Sequence, residues 1–266
     1  PIFPLLMLAL EAMSEPQFNL YAVQTTTHCV APLLLVNGPV ARELGIDSGH
    51  RAFGPGVRVN ACIGRAIRLA LINVGGAIPG VGDMATYGSP AKFSFCIAEN
   101  EAASPWEPLH VERGLARGQS AVTVVGAEGI VNMNTRTKIV DEVIRVFAQS
   151  MPRPAGNDYR TCGKPWVVLC PEYADILKGG GLSKAEVKRR IWEQAKMPAA
   201  WMAEIDFEQA THSRRAEMGV VTRESQLPPC ASPEELGILV TGGPGTHAAY
   251  VQSFGNTRSV TKPVGD

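Results

Sequence analysis

FSFCIAENEAASPWEPLHVERG, residues 93–114, decides how the chain is read. It begins as a short aromatic and β-branched run and ends in a cluster of Glu99, Glu101, Glu107 and Glu112, with Trp106, His110 and Arg113 among them. A strand that empties into a proline-containing acidic loop is one way an α/β protein presents chemistry at a sheet edge. This loop is the first candidate site, and the flanking sequence has to supply the strands and helices that hold it.

Working outward on the N-terminal side, Leu5, Leu6, Ala9, Leu10 and Met13 recur at helical spacing and predict a helix over 2–14. YAVQTTT (21–27) reads as a strand. Pro32 and Pro39 limit helix in the following segment, and an Asn37-Gly38-Pro39 turn precedes a short helical piece, Val40 to Leu44. GIDSGHRAFGPG (45–56) is a glycine-rich loop. Val57 to Gly76 predicts the strongest helix of this half, with Ile63, Ala66, Ile67, Ala70 and Leu71 on one side and Gly75-Gly76 as its stop. Residues 77–92 form another loop.

On the C-terminal side, SAVTVVGAEG (120–129) predicts a strand ending in glycine, followed by a helix from about Thr137 to Met151. PWVVLC (165–170) is the next strand, and Ser183 with Glu186 forms a capping box for a helix. A further helix start lies at Ser232, Pro233 and Glu235. GILVTGGPGTHAAYVQSF (237–254) reads as strand, glycine turn and helix. Continuous apolar strands alternating with helices indicate an α/β fold with a mostly parallel sheet and helices on both faces. Two lobes are expected, 1–115 with the acidic loop and 116–266 with the glycine-turn units; residues 198–231 read as an excursion or lid.

Composition narrows the class. The chain has 266 residues, zero formal net charge and no basic stripe, so nucleic acid is not the expected partner. The apolar opening PIFPLLMLALEAM is too short to span a bilayer and lacks a signal peptide's basic region, so a cytoplasmic protein without a membrane partner is expected. Because the first residue is proline, part of the first structural unit is expected to precede it. The six cysteines lack a close CxxC pair, which removes zinc knuckles and thioredoxin-type motifs.

Three stretches carry candidate chemistry. Glu99, Glu101 and His110 can serve as general acid and base, because repulsion and partial burial move one carboxyl towards neutrality; a divalent metal is a second use of the same donors, without a recognised ligand spacing. Thr25 to Cys29 places hydroxyls, His28 and the Cys29 thiol in succession, with Cys29 a candidate nucleophile. Gly242, Gly243, Gly245, Thr246 and His247 form a glycine turn before the expected helix, a place for a phosphate or carboxylate on backbone N–H groups. Val125 to Gly129 repeats that geometry more weakly. Asn60, Arg65, Arg68 and Trp106 complete the substrate-binding candidates, the two arginines being three apart on one helix face.

The segments APLLLVNGPVARELGI, VNACIGRAIRLALINVGGAIPG, FCIAENEAASPWEPLHVERG and ILVTGGPGTHAAYVQSFG together resemble the bacterial UGSC-type (seleno)protein family over most of the chain. That resemblance implies thiol or redox chemistry on a selenocysteine-or-cysteine, glycine, serine, cysteine motif. The nearest string here is Thr161-Cys162-Gly163-Lys164, so the motif itself is not carried over. Three readings stay open: an enzyme acting on a small anionic metabolite by Glu/His chemistry of lyase or hydrolase type; a thiol or redox component working with a partner chain; and a non-catalytic binding or assembly subunit. A homo-oligomer or a hetero-complex is expected.

Overall fold

The structure is a computed structural model that describes residues 2–54 and 57–265. Residues 55 and 56 of the expected glycine-rich loop, and residue 1, lie outside the described residues. The protein is α/β, with nine strands among the described residues: β1 (Ala31–Asn37), β2 (Cys96–Ala98), β3 (Ser120–Asn134), β4 (Trp166–Leu169), β5 (Met197–Pro198), β6 (Gln226–Leu227), β7 (Gly237–Val240), β8 (His247–Ser253) and β9 (Val260–Val264). By contact the chain divides into two compact units: residues 1–129, 239–244 and 257–266 form unit 1, and residues 130–238 and 245–256 form unit 2. The chain returns to unit 1 twice, which a single cut between residues 115 and 116 does not describe.

Unit 1 is built on β1. Leu33, Leu34, Leu35 and Val36 are all at most 1 % exposed, although successive strand residues point to opposite faces, so both faces of β1 are covered. β1 runs parallel to β2, with Leu34 opposite Cys96, and antiparallel to β3, with Ala31 opposite Ala127 and Asn37 opposite Ala121. β9 runs antiparallel along β3. Strand direction is therefore mixed. Pro32 is tolerated inside β1, opposite Gly126. It was the two prolines of this segment that hid β1 from sequence patterning.

The helix α1 (Ile2–Ser14) matches its periodicity and packs on β9 and on α4 (Arg58–Asn73). Ile63, Ile67 and Leu71 line the buried side of α4, and Gly64 lets it approach the entry to β2: a Cβ there would stand 2.5 Å from Phe95 N and from Ser94 Oγ. YAVQTTT is not a strand. Leu20–Thr25 is a helix (α2), because Asn19 takes a left-handed conformation (φ 53°) and its side chain caps Ala22 N. α3 (Pro39–Glu43) follows the Asn37-Gly38-Pro39 turn as expected. β2 is confined to Cys96–Ala98, with Phe93 preceding it in the exit of a 3-10 turn.

In unit 2, β4 and β8 pair antiparallel, Trp166 opposite Val251 and Leu169 opposite Ala248. Residues 247–253 are thus a strand, not the expected helix; pairing with β4 and burial of Tyr250 and Val251 outweigh the helix preference of Ala248-Ala249. The strand beginning at Ser120 does not stop at Gly129 but continues to Asn134, so Gly126 to Gly129 is strand interior, not a turn. The helix expected from Thr137 forms at Val140–Ser150, and Lys184–Gln194 is capped by Ser183 Oγ, which accepts from Glu186 N at 3.1 Å. The capping box is one-sided, since the Glu186 carboxylate turns to Arg189 and Arg190. Only a 3-10 turn forms at Pro233–Glu235. No helix is long and apolar enough to cross a membrane among the described residues.

Candidate functional site

The carboxyl ends of the parallel strands β1 and β2 lie side by side in unit 1, and the candidate site is assembled there. Asn37, the last residue of β1, is fully buried and donates from Nδ2 to Glu99 Oε2 at 2.6 Å and to Glu101 Oε1 at 3.2 Å. One amide thus fixes two carboxylates, even though the strand ends before either. Glu99 is buried, and its Oε2 also accepts from Leu109 N at 2.7 Å, taking up a free N–H at the start of the single-turn helix α5 (Leu109–Glu112). Glu99 therefore positions the loop.

Glu101 has the exposed role. Its Oε1 accepts from Gly38 N at 2.6 Å and stands 3.8 Å from Nδ1 of His110, and its side chain keeps 17 % exposure. Gly38 is held with φ +81°, and a Cβ there would stand 2.2 Å from Gln119 O, so glycine alone lets this N–H reach the carboxylate. His110 is fully buried. Its Nε2 lies 3.3 Å from Arg117 O, and its Nδ1 has no hydrogen-bond partner among the described residues. A carbonyl beside Nε2 favours the tautomer with the proton on that nitrogen, leaving the Nδ1 lone pair towards Glu101. At 3.8 Å the two groups are too far apart for a hydrogen bond but close enough for an ion pair once the imidazole carries a second proton. Glu107, three residues before His110, does not join the pair; it is exposed and lies 4.0 Å from Arg117. Ser104 Oγ ties the backbone of the half-buried Trp106.

Part of the glycine turn reaches the same edge. Asn100 N donates to Val240 O at 2.8 Å, Gly242 N to Ser48 O at 2.9 Å, and Thr241 Oγ1 lies within hydrogen-bond distance of both Ser48 O and Ala98 O. A Cβ on Gly243 would stand 2.2 Å from the ring of His50, an exposed imidazole that sequence reading did not single out. The signal available was the pair of histidine-bearing segments, 45–50 and 107–110, on either side of α4 in the sequence. With β8 in place of a helix, the expected helix-dipole anion site at Gly242 to Thr246 loses its physical basis. Gly245, Thr246 and His247 belong to unit 2, where His247 Nδ1 lies 3.0 Å from Asn132 Oδ1 and Gly245 O accepts from the Cys170 thiol.

The remaining candidates lie elsewhere. Asn60 is structural: its side chain bonds the backbone of Asp47 on both sides (2.8 and 3.0 Å) and Cys96 O at 3.2 Å. Arg68 is buried on Asp83 at 2.5 Å and on Gln24 at 3.0 Å, whereas Arg65 lies over the Phe93 ring at 4.3 Å, so the two arginines do not meet one anion as a pair of equals. Cys29 precedes the opposite end of β1. Its thiol donates to Glu128 O at 2.9 Å, and burial together with the Glu128 charge pushes its pKa up, the reverse of nucleophile activation. His28 pairs with Glu128 at 2.9 Å and not with Cys29. Cys162, in the string nearest the redox motif, is buried, and burial likewise pushes its thiol up.

Unit 2 holds one conspicuous buried acid. Asp158 accepts from Tyr250 Oη, Ser253 Oγ and Ser253 N, and burial pushes its carboxyl up to about 7 against those bonds. Among the described residues no group of three or more His, Cys, Asp or Glu side chains is placed to hold a metal ion. No protein-family model matches the chain, and no curated protein matches it in sequence.

Proposed function

We propose that the protein is an enzyme acting on a small metabolite by acid–base chemistry, of lyase or hydrolase type, with Glu101 as the proton-transferring group and His110 as the group that holds the proton behind it. The observation that carries this reading is the Asn37-bridged pair, in which one carboxylate is buried and anchored while the other keeps solvent access 3.8 Å from a buried imidazole nitrogen. Two carboxylates in unlike environments, one positioning and one exposed, are what a division of roles between acid and anchor requires. Its location at the carboxyl ends of β1 and β2 is where α/β folds bind ligands. The six cysteines, all unpaired as thiols, support a reducing cytoplasmic setting.

Incubating the purified protein with a metabolite extract and following the mixture by mass spectrometry tests the assignment. Wild type should deplete at least one small metabolite, and Glu101→Gln and His110→Asn should each slow that depletion by about 10²–10⁴, with melting temperatures close to wild type for Glu101→Gln. Depletion that survives in the double variant would overturn it.

A further inference from the structure

Unit 1 carries a second feature that the acid–base site does not use. An open groove of about 690 Å³ runs between α4 and the loop 79–93, within the size range of small-molecule sites. Its charges do not balance. Arg68 Nη2 and Lys92 Nζ both sit on the single carboxylate of Asp83, at 2.5 Å and 2.9–3.1 Å, and Arg65 contributes a third cation that pairs with no carboxylate among the described residues. Three cations against one anion leave a net charge of +2 on the groove wall. The cations are also anchored: Arg68, Asp83 and Lys92 are nearly buried, and Arg68 bonds the Gln24 amide oxygen, whose amide nitrogen is buried without a partner among the described residues, beside a small cavity of about 10 Å³ lined also by Arg68 and Lys92.

The outer wall is aromatic. Phe93 and Tyr87 line the groove and are both exposed, and Arg65 is stacked on the Phe93 ring. Exposed aromatic faces beside a cation without a counter-ion suit a ligand with a flat apolar body and an oxyanion at one end. We propose that this groove binds a small organic anion, a carboxylate or phosphate carried on a planar apolar body. It is separate from Glu101: Thr86 N and Ser89 Oγ, on its rim, bond Thr27 O and Cys29 O before β1 begins, whereas Asn37 lies at the other end of that strand, roughly 20 Å away at strand rise.

Calorimetric titration of the whole chain tests the proposal, with benzoate as the planar probe and acetate and inorganic phosphate as oxyanions lacking the flat body. Benzoate should bind saturably and at least about tenfold more tightly than acetate or phosphate. Arg65→Gln should weaken benzoate about tenfold or more, with Arg65→Lys recovering part of the loss. Phe93→Ala, at an exposed position, gives a second variant that leaves the core intact and should weaken benzoate but not acetate. Absence of saturable benzoate binding, or a wild-type affinity in both Arg65→Gln and Phe93→Ala, would overturn the site; acetate binding as tightly as benzoate would overturn the planar body.

Discussion

The two ends of β1 use the same kinds of residue for opposite purposes. At its carboxyl end, Asn37 gathers Glu99 and Glu101, Glu101 is left partly open, and the His110 imidazole beside it has one nitrogen without a bond among the described residues. Before its amino end, the polar groups are engaged with one another: Cys29 with Glu128 O, His28 with the Glu128 carboxylate, and Arg68 and Lys92 with Asp83. A charged group that is anchored yet reachable can trade protons with a ligand. A charge whose partners saturate it holds the fold together and offers a ligand only its surplus, which before the amino end of β1 is Arg65 and the one charge by which Arg68 and Lys92 exceed Asp83.

The contrast can be broken most directly at the carboxyl end, where Glu101→Gln should cost about 10²–10⁴ in turnover with little loss of stability. Next in size is the complementary change. Asp83→Asn leaves Arg68 buried without its counter-charge and should lower unfolding free energy by about 3–5 kcal/mol in urea titrations; a loss below about 1 kcal/mol would mean that this end is as replaceable as a surface pair.

Acid offers a third comparison. Burial raises the Asp83 carboxyl, but the hydrogen bonds from Lys92 and Ala85 and the charges of Lys92 and Arg68 outweigh it and hold the group below the usual carboxylate range. The stability it supplies is present above the ordinary aspartate value and is lost as pH falls through the lowered one. Asp158 has the opposite sign: with its folded value raised to about 7, its share is full below the ordinary aspartate value and is lost as pH rises through 7. Melting temperature should thus fall in acid through Asp83 and decline as pH rises towards and through 7 through Asp158, and Asp83→Asn should flatten the acid limb only. The smallest effect is expected at Cys29, where Cys29→Ala should change turnover less than about twofold because a thiol held protonated is a poor nucleophile. Iodoacetamide at neutral pH should label the exposed Cys62 before Cys29.

Local pattern was a sound guide wherever a segment carried its own signal. Ile63, Ile67 and Leu71 announced α4, Ser183 the N-cap of the helix Lys184–Gln194, and the Glu-rich run after Cys96 the loop that bears the site. It misled where partners decide the outcome. Thr25–Thr27 look β-branched but follow a cap at Asn19; Ala248-Ala249 look helical but pair with β4; and β1, interrupted by Pro32, becomes a strand because β2 and β3 flank it.

The sequence by itself determined the residue types of the site, the helices with a one-sided apolar stripe, and the α/β class, since each depends on spacing within a few turns of chain. Tertiary structure alone decided which candidates meet. Asn37 reaches Glu99 and Glu101 across more than sixty positions of sequence, Thr241 returns to Ala98 from nearly the other end of the chain, and Cys29 falls at the wrong end of β1. The reason is physical: strand direction and register are set by pairing and by burial of both faces, and neither is encoded in any one segment.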